Sequence, residues 1–149
     1  MIPLKDDNPT RTFPLVTIVL IVFNTAIFLW ELVHPLPARE ALIRDFAVIP
    51  YEFTHFAPGG PGALLYNGMT LLTAMFLHGS VLHVAGNMLY LWIFGNNVED
   101  AMGKLKFIGF YLAGGVIAAI AQYLAGPNAA VPTLGASGAI AAVLGGYAL

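Results

Sequence analysis

The chain has 149 residues, 58% of them hydrophobic and only 9% charged, with a formal net charge of −2 and a mean hydropathy of +0.79. Soluble domains carry about a quarter charged residues, so this is a membrane composition, and its slightly acidic balance offers no basic stripe to a nucleic-acid partner. The absence of cysteine excludes thiolate catalysis, disulfides and zinc–thiolate sites.

The opening segment does not read as a cleavable signal. Asp6 and Asp7 interrupt a positive n-region, and the apolar run that follows is too long for an h-region. That run, residues 15–33, has the length a bilayer core requires of a first span. Asn24 and Thr25 inside it are expected to face other helices. Residues 34–69 read as a long connection. It holds His34-Pro35-Leu36-Pro37, a mixed apolar and charged stretch over residues 39–46, and the breakers Pro58-Gly59-Gly60-Pro61-Gly62. Its aromatics Phe46, Tyr51, Phe53, Phe56 and Tyr66 predict a loop lying on or partly in the membrane interface, where such rings collect. The alternative is an ordinary long loop.

A second span covers residues 80–95. A polar knot of Asn96, Asn97, Glu99 and Asp100 follows it, and Lys104 and Lys106 flank the start of a third span, residues 105–124. Gly126-Pro127-Asn128 breaks that span, residues 129–133 form a short link, and a fourth begins at Ser137. From Ser137 to Leu149 a helix rises only about 20 Å, against a hydrocarbon core of about 30 Å. Residues 1–149 therefore read as one polytopic all-α membrane domain, incomplete at its C-terminus, with about three and a half spans present. Lys5, Arg11, Lys104 and Lys106 share one side of the membrane, and Arg39 and Arg44 lie on the other. The bias predicts a cytoplasmic N-terminus.

In that topology the second and fourth spans both enter from the non-cytoplasmic side. His83 and Asn87, four apart, stack on one helical face in the first turns of the second span. A histidine N–H and an asparagine amide pointing the same way form a donor pair of the kind a developing oxyanion needs. Ser137 opens the fourth span within Gly135-Ala136-Ser137-Gly138, whose glycines let backbone pass close to a substrate. Near a helix N-terminus its own N–H can serve the same oxyanion. Gly138, Ala142 and Gly146 make one small-residue face of this helix, and Ala141, Gly145 and Ala148 another. Neighbours can then surround it closely, with its serine buried and reached through water from above.

Each group also has an ordinary structural reading. Serine among small residues serves commonly as interhelical glue, and His83 with Asn87 can bond across helices. Their convergence at one depth is what favours chemistry. No metal site is expected, because His78 and His83 are five apart and no His-Glu-x-x-His pattern occurs. The soluble hydrolase elbow fails as well, since position 139 is Ala and no strand precedes the serine.

The segments His78-Gly79-Ser80-Val81-Leu82-His83-Val84-Ala85-Gly86-Asn87, Gly95-Asn96-Asn97-Val98-Glu99-Asp100-Ala101-Met102-Gly103 and Gly135-Ala136-Ser137-Gly138-Ala139 resemble, in order and spacing, the rhomboid family of intramembrane serine proteases. The opening Ile2-Pro3-Leu4-Lys5-Asp6-Asp7-Asn8-Pro9 is similar to that of many bacterial members. The resemblance implies a bundle of six or seven helices around a water-filled cavity. It implies Ser137 as nucleophile, with His83, Asn87 and the Ser137 N–H as the oxyanion hole. His78 becomes a structural histidine near the site, and Glu99 and Gly103 organise the cytoplasmic end of the second span. Membrane lipid and transmembrane protein substrates are the implied partners, no cofactor is used, and the bacterial cell membrane is the implied location.

Two departures stand out. The family's general base is a histidine on the sixth helix, after the serine, whereas His34, His55, His78 and His83 all precede Ser137. The Trp-Arg pair that some members carry in the first loop is absent, and Ala141 stands where the family often has an aromatic that packs on the base. The 149-residue polypeptide alone is expected to be inactive, for want of that base. Two other functions fit the residues: a catalytically inactive rhomboid-like protein that binds membrane clients, and an unrelated transporter or structural bundle.

Overall fold

The computed structural model describes residues 8–55 and 61–149. Residues 2–7, including Lys5, lie outside the described residues, as do Phe56 and the breakers Pro58, Gly59 and Gly60. The rest is an all-α bundle: α1 (Leu15–Leu32), α2 (Leu36–Phe46), α3 (Pro50–His55), α4 (Pro61–Thr73), α5 (Val81–Met102), α6 (Lys104–Ala125) and α7 (Ser137–Tyr147), with a 3-10 turn at Ala74–Phe76. Helices α1 and α6 are each long and apolar enough to cross a membrane, and the end of α4 with α5 makes a third candidate span bent by 81°. The chain is a multi-pass integral membrane protein.

Helix α1 is built inside out relative to a soluble helix. Its buried residues are Val16, Thr17, Asn24, Phe28 and Glu31, while Val19, Val22, Phe23 and Leu29 point outward. With lipid as solvent, the polar stripe must face protein. Asn24 is buried as expected, its Nδ2 donating to Leu20 O at 2.7 Å, and its side chain meets the buried Tyr111 of α6.

The start of α1 has no capping side chain of its own. Glu99 of α5 supplies one: its carboxylate accepts from Val16 N at 3.0 Å and from Thr17 N and Oγ1 at 2.8 Å each. Orphan N–H groups and the positive end of the helix dipole are both satisfied by one buried anion. Asp100 accepts from Arg11 N and Thr12 N at 3.0 and 2.8 Å, tying down the approach to α1. This changes the boundary expected for the second span. Helix α5 runs to Met102 rather than ending near residue 95, so the polar knot forms its last turns. Its acids find donors at the start of α1 and on the segment leading into it, and need not leave the helix. Gly103, at φ +80°, ends α5 and leads directly into α6.

The long connection differs more from expectation. It is not a loop but carries α2, α3 and α4, and Pro61 and Gly62, read as breakers, are the first residues of α4. Proline is tolerated there because the first turn has no use for its missing N–H. Between α2 and α3, Val48 pairs with Thr133 of the α6–α7 link as an isolated antiparallel bridge, with N···O distances of 3.0 and 2.7 Å. Tyr51 N donates to Ala129 O at 3.0 Å and Thr54 Oγ1 to Pro127 O at 2.7 Å.

Helix α7 packs on α6 through the Gly138–Ala142–Gly146 face. A Cβ on Gly138 would fall 2.5 Å from the Ala118 Cβ, and one on Gly146 would fall 3.2 Å from the Phe110 ring. Small residues allow this approach, and dispersion between closely set backbones holds it. Leu91, Val98, Phe107, Tyr111, Ile140 and Val143 fill the core where α5, α6 and α7 meet.

Candidate active site

Ser80 starts α5 in extended geometry, φ −157° and ψ 161°, and its side chain accepts from His83 N at 3.2 Å. This N-cap fixes the first helical turn. His83 sits on that turn half-buried, and Asn87 lies one turn deeper on the same face, buried. Asn87 Nδ2 donates to His78 Nε2 at 3.0 Å, which leaves the His78 ring proton on Nδ1 and the second amide N–H of Asn87 for another acceptor. His78 is fully buried, edge-on to His83 with ring centroids 5.2 Å apart.

From the other side comes the link before α7. Gly135 N donates to Ala74 O at 2.8 Å, and Gly135 takes φ +114°. The His83 ring rests against it: a Cβ at that position would fall 2.6 Å from Nε2 and 2.5 Å from Cε1. Both the backbone angle and the space demand glycine. Two residues later Ser137 begins α7. Among the described residues no side chain bonds its first turn, which leaves those N–H groups and the positive end of the dipole at the Ser137 end.

Ser137 is exposed, at the rim of a cavity of 180 Å³ lined in part by Met75, Gly115, Ala118 and Gln122 and edged by Val48 and Thr133. The serine was expected to be buried. It is open because the second small face of α7 has no close neighbour among the described residues: Ala141 and Gly145 are exposed, and a Cβ on Gly145 would meet nothing within 4 Å. The described residues thus bring His78, His83, Asn87 and Gly135 into one cluster, and Ser137, two residues after Gly135, shares the lining of the cavity with it. Gly138 lies against α6.

The remaining histidines are elsewhere. His34 Nδ1, just past the end of α1, lies 2.8 Å from Trp30 O, and His55 Nδ1 lies 2.9 Å from Tyr51 O within α3. No group of three metal-ligating side chains occurs among the described residues.

Two polar residues next to the site escaped the sequence reading. Glu31, fully buried in the last turn of α1, accepts from His78 N at 3.4 Å, and its Oε2 faces Arg39 Nε at 3.9 Å. Arg39 Nη2 donates to the carbonyls of His78 at 3.2 Å and Gly79 at 3.4 Å. The signal was available, since an ionisable residue within an apolar span is a functional candidate by default.

A rhomboid domain model matches residues 67–149, which include every residue of this cluster except Glu31 and Arg39. Among curated proteins, the mitochondrial presenilin-associated rhomboid-like protein A of Danio rerio is 36% identical over 129 residues, covering 84% of this chain and 30% of that protein. The rhomboid protease GluP of Bacillus subtilis is 43% identical over 75 residues, 50% of this chain and 14% of its own length. The putative rhomboid protease YdcA of the same organism is 29% identical over 137 residues, 92% of this chain and 62% of its own. The chain spans less than two thirds of each of these proteins.

Proposed function

Because the chain belongs to the rhomboid family, we propose that it carries the nucleophile and oxyanion hole of an intramembrane serine endopeptidase that cleaves transmembrane segments of membrane proteins. The observation that supports this most is the seating of the His83 ring on Gly135, two residues ahead of Ser137. Gly135 and Ser137 line the same cavity, so the imidazole seated on Gly135 supports a role beside the serine.

Ser137 Oγ attacks the scissile carbonyl. Negative charge then develops on the carbonyl oxygen, where a ring N–H of His83, the free amide N–H of Asn87 and the Ser137 backbone N–H receive it. Preset donors in a site of low dielectric account for much of the acceleration in such reactions. Small walls at Gly115 and Ala118 favour a small side chain beside the cleaved bond.

The serine also needs a base, which takes the Oγ proton during attack and hands it to the amine as the C–N bond breaks; water then hydrolyses the acyl ester and frees Ser137. His78, His34 and His55 are committed to other partners, so the base is a histidine supplied from outside these 149 residues. The open Ser137–Ala141–Gly145 stripe of α7, with no side chain larger than a methyl beyond the serine, is where a helix bearing it can approach. No cofactor enters the scheme. The proposed setting is a bacterial cell membrane with the N-terminus cytoplasmic, which puts the site toward the outer leaflet.

The test is cleavage of a transmembrane substrate by the full-length protein in liposomes, with Ser137→Ala as control. Loss of cleavage and of fluorophosphonate labelling in the variant supports the reading. Absence of any Ser137-dependent cleavage or labelling in the unaltered protein would overturn it and leave the inactive client-binding alternative.

A further inference from the structure

The break between the 3-10 turn and α5 carries backbone groups that neither helix satisfies, and side chains from two distant helices take them. Glu31 accepts the His78 N–H from one side, and Arg39 donates to the His78 and Gly79 carbonyls from the other. The two charges face each other at 3.9 Å. The guanidinium lies over the Phe28 ring at 5.6 Å from its centroid, and Phe28 is in turn edge-on to the His78 ring at 6.4 Å. The His78 peptide is therefore bracketed by an ion pair, and its ring by Phe28 and His83.

We propose that Glu31 and Arg39 are positioning residues for the oxyanion hole, acting on Asn87 through His78. The proposal rests on the serine-protease reading. The sequence of contacts is continuous: the pair fixes the His78 backbone, the fixed backbone aims the His78 ring, and Nε2 of that ring holds one N–H of Asn87 at 3.0 Å. Only the other N–H is left for the oxyanion, so its direction follows from where His78 sits.

The placement of Glu31 argues for a specific task. A carboxylate in the last turn of a helix opposes the dipole, and burial in a membrane bundle adds to the cost. A pair serving stability alone can often be replaced by apolar side chains without loss. A pair that must hold one N–H and two carbonyls in register cannot. Arginine suits the place better than lysine, because Nη2 reaches both carbonyls while a second nitrogen of the same rigid plane, Nε, faces the carboxylate at 3.9 Å.

The experiment is a double-mutant cycle in the full-length protein, reading kcat, KM and thermal unfolding in detergent for Arg39→Lys, Asn87→Ala and the combination. The expected result is that Arg39→Lys lowers kcat on the order of tenfold, with KM and the unfolding temperature unchanged. In the Asn87→Ala background the same substitution should lower kcat by less than about twofold further, since the group it aims is gone. Glu31→Gln should behave like Arg39→Lys. Fully multiplicative losses would show that the pair does not act through Asn87 and overturn the proposal. So would variants whose losses merely track a lowered unfolding temperature. Failure of the unaltered protein to cleave in a Ser137-dependent way is a different result: it removes the protease reading itself, and the positioning role with it.

Discussion

His83 occupies the space that a side chain at Gly135 would need, and Gly135 in turn holds a backbone angle that other residues rarely adopt. The two helices that carry the candidate site therefore meet at a point with no tolerance for even one added carbon.

Gly135→Ala tests that contact. Strain at the positive φ and the displaced imidazole should together cost about 1–3 kcal/mol of stability and abolish cleavage. Thermal unfolding and a substrate-cleavage assay on the same preparation check both. Retention of full activity would mean that His83 need not rest where it does.

Asn87→Ala removes one donor from the proposed oxyanion hole. A fall in kcat on the order of a hundredfold is expected, with KM little changed, because the bond strengthens only as charge develops. Steady-state kinetics over a substrate series gives the two constants separately.

Glu99 is remote from the chemistry, and its substitution should act on stability alone. Glu99→Ala strips the cap from α1 and leaves three donors at its start, which should cost about 2 kcal/mol or more. Glu99→Gln keeps one acceptor and should cost less. A chemical-denaturation series in mild detergent ranks the two; an unchanged midpoint in Glu99→Ala would count against the capping role.

The 149-residue polypeptide by itself should leave a detergent-solubilised substrate intact, while the full-length protein cleaves it. The four histidines present are the reason: three are held by other groups, and His83 is the one proposed for the oxyanion hole. Cleavage by the shorter polypeptide would reassign the base to His83.

The long apolar runs that became α1 and α6 were legible directly, because hydropathy is the signal a bilayer imposes. So was the tendency of His83 and Asn87 to share a face, since helical spacing fixes it. What hydropathy conceals is a helix that stays helical through polar residues. Helix α5 continues past Asn96 and Asn97 because Glu99 bonds to residues 82 and 83 positions earlier in the chain, a partnership no local pattern reveals. The connection holding α2 to α4 was misread for a related reason. Its helices are short, and α2 has no buried residue to give it a hydrophobic stripe. Glu31 passed unnoticed as one acid at the edge of a long apolar run, and its importance depends on where residue 78 ends up in space.

The Glu99 contact also imposes an order on biogenesis. When α1 leaves the ribosome, the acid that completes it has not yet been made, and water or lipid headgroups must meet its leading amides. Only after some eighty further residues have been synthesised, and α5 has inserted beside it, does the first helix exchange those solvent partners for a protein one. Until then it is a tether; afterwards it is a wall of the bundle.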